Sequence, residues 1–150
     1  MILDERLEIA DAAAIALNAT NAIAPNTDVI DLGATPTLRD LGAGEPIYLV
    51  IQVDTVFAGA GNVTFDLCSD STANLATSKT THITTGAIAY TAWTAGTTKI
   101  YALPQEATYE RYLGLWETAS GNLTGGKINA FLTKDVSRWT AYNDAIGTPV

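Results

Sequence analysis

Apolar and polar residues alternate in short runs along most of the chain, and clusters of glycine, asparagine and proline separate the runs. The strongest run is Ile47-Tyr48-Leu49-Val50-Ile51-Gln52-Val53, which follows Pro46. Successive side chains of a strand point to opposite sides, so Ile47, Leu49, Ile51 and Val53 share one face and Tyr48, Val50 and Gln52 the other. Both faces are largely apolar, which predicts a central strand covered on both sides. Weaker runs of the same kind are Val29-Ile30-Asp31-Leu32-Gly33, Val63-Thr64-Phe65-Asp66-Leu67-Cys68-Ser69 and Lys99-Ile100-Tyr101-Ala102-Leu103, the last stopped by Pro104. In Glu110-Arg111-Tyr112-Leu113-Gly114-Leu115-Trp116-Glu117-Thr118, Leu113 and Leu115 alternate with Trp116, which predicts a buried Trp116. Gly59-Ala60-Gly61-Asn62 reads as a turn into the Val63 strand. Gly121-Asn122-Leu123-Thr124-Gly125-Gly126 reads as a reverse turn, after which Lys127-Ile128-Asn129-Ala130-Phe131-Leu132-Thr133 pairs back. Residues 69–85 are polar and predict an extended loop. Short strands at near-regular spacing with no βαβ series predict an all-β fold, an antiparallel β-sandwich or jelly roll.

The two ends of the chain break this pattern. Leu3, Leu7, Ala10, Ala14 and Leu17 fit a helix, while Ile15, Leu17, Ala19 and Thr20 fit a strand. Pro25-Asn26 closes the segment like a turn and favours the extended reading. Near the other end, Trp139, Tyr142 and Ile146 stand at i, i+3 and i+7, the stripe of a short amphipathic helix. Such a tail either folds back on its own sandwich or anchors a partner, Trp and Tyr being favoured at interfaces. The organisation is therefore an N-terminal arm or first strand over 1–25, a sandwich over 26–134 and a tail over 135–150.

Composition narrows the chemistry. The 150 residues suit one domain, with 47% hydrophobic and 16% charged residues. A net charge of −8 with only 8 scattered basic residues argues against nucleic-acid binding and disfavours anionic membranes. No run of about 18 apolar residues is present, so no membrane-spanning helix is expected. The opening Met1-Ile2-Leu3-Asp4-Glu5-Arg6 lacks the basic and apolar regions of a secretory signal. Cys68 is the single cysteine and reads as a buried small hydrophobe. His82 is the single histidine, in a polar loop or edge strand, and no Gly-x-Ser-x-Gly accompanies it. One His and one Cys do not make a zinc site, and no glycine stretch has phosphate-loop spacing. Glu106, Glu110 and Glu117 are expected around one hairpin, and Asp66 and Asp70 with loop carbonyls suggest a remote calcium site, but neither forms a recognisable motif. The expectation is a protein with no catalytic residues, no metal and no cofactor. Carbohydrate binding is a competing expectation, with Trp93 in Tyr90-Thr91-Ala92-Trp93 the best stacking platform, ahead of Trp116 and Trp139.

Several stretches occur together in a telling order. Val29-Ile30-Asp31-Leu32-Gly33 is followed by Arg39-Asp40-Leu41-Gly42-Ala43-Gly44-Glu45-Pro46, then Arg111-Tyr112-Leu113-Gly114-Leu115, then Gly121-Asn122-Leu123-Thr124-Gly125-Gly126-Lys127. With the opening Met1-Ile2-Leu3-Asp4 and the closing Trp139-Thr140-Ala141-Tyr142, the chain resembles the small jelly-roll cement (decoration) proteins of tailed-bacteriophage heads. The resemblance spans nearly the whole chain, is most specific in the Arg39 to Pro46 stretch, and fades over 69–98. It implies a homo-oligomer on the outer surface of the virion that bridges neighbouring major capsid proteins. The expected contacts are Leu3, Arg6 and Leu7 of the arm, Arg39, Asp40 and Glu45 of the loop, and Trp139 and Tyr142 of the tail.

Overall fold

The longest apolar runs fall in two strands that lie side by side along nearly their whole length. The computed structural model describes residues 5–15, 20–22, 29–35, 41, 44–105 and 107–136. Among these residues the strands are β1 (Glu8–Ala14), β2 (Thr20–Ala22), β3 (Ile30–Asp31), β4 (Tyr48–Asp70), β5 (Thr80–Thr84), β6 (Ile88–Ala89), β7 (Thr98–Ala102) and β8 (Tyr112–Thr133). All pair antiparallel in one sheet. β4 meets β8 from Tyr48↔Thr133 to Asp70↔Tyr112. β1, β2 and β3 line the far side of β8, and β5, β6 and β7 the far side of β4.

The two glycine segments are not turns. Both are interior stretches of β4 and β8, paired with each other as Gly59↔Leu123 and Gly61↔Gly121. The expected hairpin between 110–118 and 127–133 is corrected accordingly. Those two runs are opposite ends of the single strand β8, and they pair with opposite ends of β4. Glycine in a strand signals either a turn or a close backbone approach, and here the approach is the reason. A Cβ on Gly61 would fall onto the Ser120 carbonyl oxygen, and one on Gly121 would lie 2.6 Å from that of Ala60. Register shifts between Val53 and Gly59 mark bulges on the same stretch of β4, which increase local twist and bend the strand.

The ribbon thus has two ends that feed one core. Leu49, Ile51 and Val53 come from one end, and Val63, Phe65 and Leu67 from the other. They join Leu113, Leu115, Ile128, Ala130 and Leu132 of β8 in a single cluster. β1 adds Ile9, Ala10 and Ala13. Bulges between Glu8 and Ala13 shift its inward face, which explains the mixed helix-and-strand periodicity of this segment. Ala12 takes a positive φ of 44° there, and its N–H donates to Asn129 Oδ1 at 2.5 Å. The strand character expected for the 47–53 run is observed. Leu49 and Ile51 reach the core, while Val50, on the opposite face, is also fully buried.

The polar stretch after β4 is ordered around one carboxylate. Asp70 is fully buried. Its Oδ1 accepts from the Thr72 N–H at 3.0 Å and from the Ser71 and Thr72 hydroxyls. Its Oδ2 accepts from the N–H groups of Thr77 and Ser78, both at 3.0 Å. Desolvation pushes the carboxyl pKa up, but the donors of Ser78, Thr72, Thr77 and Ser71 outweigh it and hold the value below the ordinary 3.8. A depressed acid stabilises the fold above its unfolded pKa, and the contribution fades as pH falls through the lowered native value. Asp70→Asn turns an NH2 group toward two backbone donors, so a loss of about 1–3 kcal/mol is expected at neutral pH. Urea midpoints of the two proteins should converge in acid, where the native carboxylate is protonated.

Candidate functional site

Three segments singled out in the sequence meet at one end of the sheet. β1 begins there, with Glu8 opposite Phe131, and β4 begins there, with Tyr48 opposite Thr133. β7 ends there, with Ala102 opposite Tyr48, and the Leu103 N–H donates to the Ile47 carbonyl at 2.8 Å. The antiparallel order β1-β8-β4-β7 therefore gathers the lead-in to β1, the lead-in to β4 and the exit from β8.

Arg6 and Leu7 lie in the 3-10 turn Glu5–Leu7 directly before β1. Arg6 is exposed, and Leu7 is a large apolar residue that is 39% exposed. Glu45 stands just before Pro46, after Gly44 with its φ of 82°. Its Oε2 accepts from Lys134 Nζ at 2.7 Å. The Lys134 hydrogen bond and charge hold the Glu45 carboxyl below the usual range. The pair is open to solvent (63% and 67% exposed), so it orients the corner more than it stabilises it. At the exit from β8, the Asp135 N–H donates to Thr133 Oγ1 at 3.2 Å, turning the chain off the strand. Lys134 was not foreseen, because a lysine ending an apolar run carries no signal of its partner. Leu3, Arg39, Asp40, Trp139 and Tyr142 lie outside the described residues, as does the expected C-terminal helix.

Elsewhere the chemistry-bearing side chains are tied into the fold. His82, on edge strand β5, shares a 2.7 Å hydrogen bond between Nε2 and Ser69 Oγ. The Glu110 N–H also donates to that oxygen, at 2.9 Å, and the Tyr109 ring lies 4.3 Å from the imidazole. A Ser–His contact is the geometry of an activated nucleophile. Ser69, however, is fully buried, out of reach of a substrate, and one lone pair is engaged by Glu110. Burial lowers the His82 pKa, against the pull of the Glu110 carboxylate, which favours neutral imidazole. The contact joins β4, β5 and the stretch before β8. Cys68 is buried as expected. Burial raises its thiol pKa, against the hydrogen bond it shares with Thr81. Among the described residues no group of three or more His, Cys, Asp or Glu is placed to hold a metal ion.

The expected sugar platform is corrected. Trp93 is fully buried. Its ring stacks on Phe57 at 5.4 Å and meets Phe65 edge-on at 5.2 Å. Trp116, expected to be buried, is only half-buried. It faces away from Leu113 and Leu115, and Lys79 Nζ sits 4.6 Å above the ring. One face of the only other described Trp is therefore already covered.

Compared with protein-family models, residues 9–132 match the one described as Bbp16. The match runs from β1 almost to the end of β8. No curated protein matches the chain.

Proposed function

The chain belongs to the Bbp16 family, a phage-associated family, and from that premise we propose that it is a structural, non-catalytic virion protein that cements a phage head. In this reading the bent ribbon closes as a jelly roll. Copies associate with one another and sit on the outer surface of the shell, each bridging neighbouring major capsid protein subunits. The observation that carries it is the convergence of the β1 lead-in, the Glu45 corner and the β8 exit at one end of the sheet. A rigid body that presents several segments on one side can touch two subunits at once. Arg6, Leu7 and Glu45, with Leu3, Arg39, Asp40, Trp139 and Tyr142 outside the described residues, are the proposed contacts.

The physics of cementing is mass action. A ligand that binds only the assembled shell stabilises it by RT ln(1 + [L]/Kd) per site, and many joints multiply a modest gain. A shell partner with a basic patch would be favoured by the net charge of −8.

The test is co-sedimentation of the purified protein with expanded, undecorated heads of its own phage, followed by heating. Saturable binding with a raised disruption temperature is expected. Absence of binding at every salt concentration would overturn the reading. Removing residues 1–7 leaves β1 whole, since it begins at Glu8. That variant should stay folded and bind more weakly, and unchanged binding would remove the arm from the contact surface.

A further inference from the structure

The single histidine ends a hydrogen-bond chain that suits only one of its protonation states. Ser69 is fully buried. Among the described residues its hydroxyl has two polar contacts, the Glu110 N–H at 2.9 Å and His82 Nε2 at 2.7 Å. The N–H can only donate, so it occupies one lone pair of the Ser69 oxygen. The hydroxyl proton then has one acceptor, the Nε2 of a neutral imidazole that carries its own proton on Nδ1. In the imidazolium, Nε2–H can reach only the second lone pair of that oxygen. The buried hydroxyl proton is then left without an acceptor, which is unfavourable.

Three elements meet in this chain: Ser69 ends β4, His82 lies on β5, and Glu110 stands in the stretch before β8. β5 is short and pairs with β4 only from Asp66↔Thr84 to Ser69↔Thr80, across a bulge. We propose that Ser69, His82 and the Glu110 N–H form a proton-sensitive clasp, which holds β5 onto β4 at neutral pH and releases it in acid. Two further groups face the imidazole. The Tyr109 ring lies 4.3 Å away, its neutral phenol donating to the Pro104 carbonyl at 2.7 Å. The Glu110 carboxylate accepts from Thr80 Oγ1 at 3.5 Å. Burial lowers the imidazole pKa below 6.5 and outweighs the upward pull of Glu110. A base shifted this way stabilises the fold fully above 6.5, and the contribution is lost as pH falls from there through the lowered native value. The neighbouring Asp70, held below 3.8, stays ionised throughout that window. Release of β5 uncovers Cys68, which pairs with Thr81 and shares a 3.4 Å contact with its hydroxyl. It also bares unpaired backbone groups on the 66–69 edge of β4. The clasp is independent of the cementing role.

The experiment labels Cys68, the single thiol, with a pyridyl disulfide in the full chain. Protection is the labelling rate of the urea-unfolded chain divided by that of the native protein at the same pH. It should fall between about pH 7 and pH 5, by at most about tenfold per pH unit, the limit for one proton. His82→Gln supplies an amide oxygen that accepts from Ser69 at any pH, so its protection should stay constant. Constant protection in the unmodified protein, or an equal fall in His82→Gln, would overturn the clasp. At pH 5 the native rate should hardly respond to about 1 M urea, because parting one short strand exposes little surface. A rise with the urea dependence of the whole fold would mean global unfolding and would also overturn it. Nitrogen NMR of the imidazole needs no variant: the Nδ1–H tautomer is expected at neutral pH, and the Nε2–H tautomer would contradict the wiring.

Discussion

Trp93→Ala is expected to lower the unfolding free energy by about 3–5 kcal/mol, the range for deleting a large buried aromatic side chain. The ring is fully buried and forms one aromatic group with Phe57 and Phe65. Its backbone also serves the sheet, because the Phe57 N–H donates to the Trp93 carbonyl at 3.1 Å. The substitution therefore opens a cavity where the bulged part of β4 is held against the 3-10 turn Tyr90–Ala92. Trp93→Phe keeps a ring in place and should recover part of the loss. Urea unfolding followed by far-UV circular dichroism measures both. An exposed stacking platform would behave otherwise: its alanine variant would lose ligand and keep its stability. A loss below about 0.5 kcal/mol, the usual limit for a surface change, would contradict the burial of the ring.

Gly61→Ala should be worse than its small size suggests, costing more than about 3 kcal/mol or abolishing cooperative folding. Two effects add. The φ of 127° lies outside the range open to side-chain-bearing residues, and the new Cβ would strike the backbone of Ser120. A side chain can rotate out of the way, whereas a ladder carbonyl moves only if the strands part. Gly86→Ala provides the control. Its φ of 68° is also positive, but nothing lies within 4 Å of the added atom, so only the left-handed backbone cost of about 1–2 kcal/mol remains. Thermal unfolding of the two variants side by side separates the effects. Equal losses would mean that the strands do not approach closely at Gly61↔Gly121.

The same glycines show why only part of this fold could be read from the sequence. The 47–53 run was legible because its alternation is local and Pro46 marks where it begins. Gly59-Ala60-Gly61-Asn62 was not, because a turn and a close strand approach ask for the same residue. What distinguishes them is the backbone at 120–123, some sixty residues away. Trp93 was misjudged for a similar reason. Thr91, Ala92 and Thr94 give it the surroundings of a surface loop, while its burial is decided by Phe57 and Phe65 on another strand. Arg6, Leu7 and Glu45 were picked out through the family resemblance. That they share one end follows from the pairings Glu8↔Phe131 and Tyr48↔Thr133, which no local pattern encodes.

The β4–β8 ladder also bears on the order in which the molecule is made. At the Asp70↔Tyr112 end its partners are about half as far apart along the chain as at the Tyr48↔Thr133 end. Each doubling of a closed loop costs about 0.6 kcal/mol, so zipping should start from Asp70 and Tyr112 about threefold more often. Pulse-labelled hydrogen exchange should then find residues 64–70 protected before 48–53, and the reverse order would refute it. A chain still zipping would lack the end where the arm, the Glu45 corner and the β8 exit come together. Under the proposed cementing role, shell joints would thereby be closed to unfinished copies, a form of quality control that needs no separate checking step.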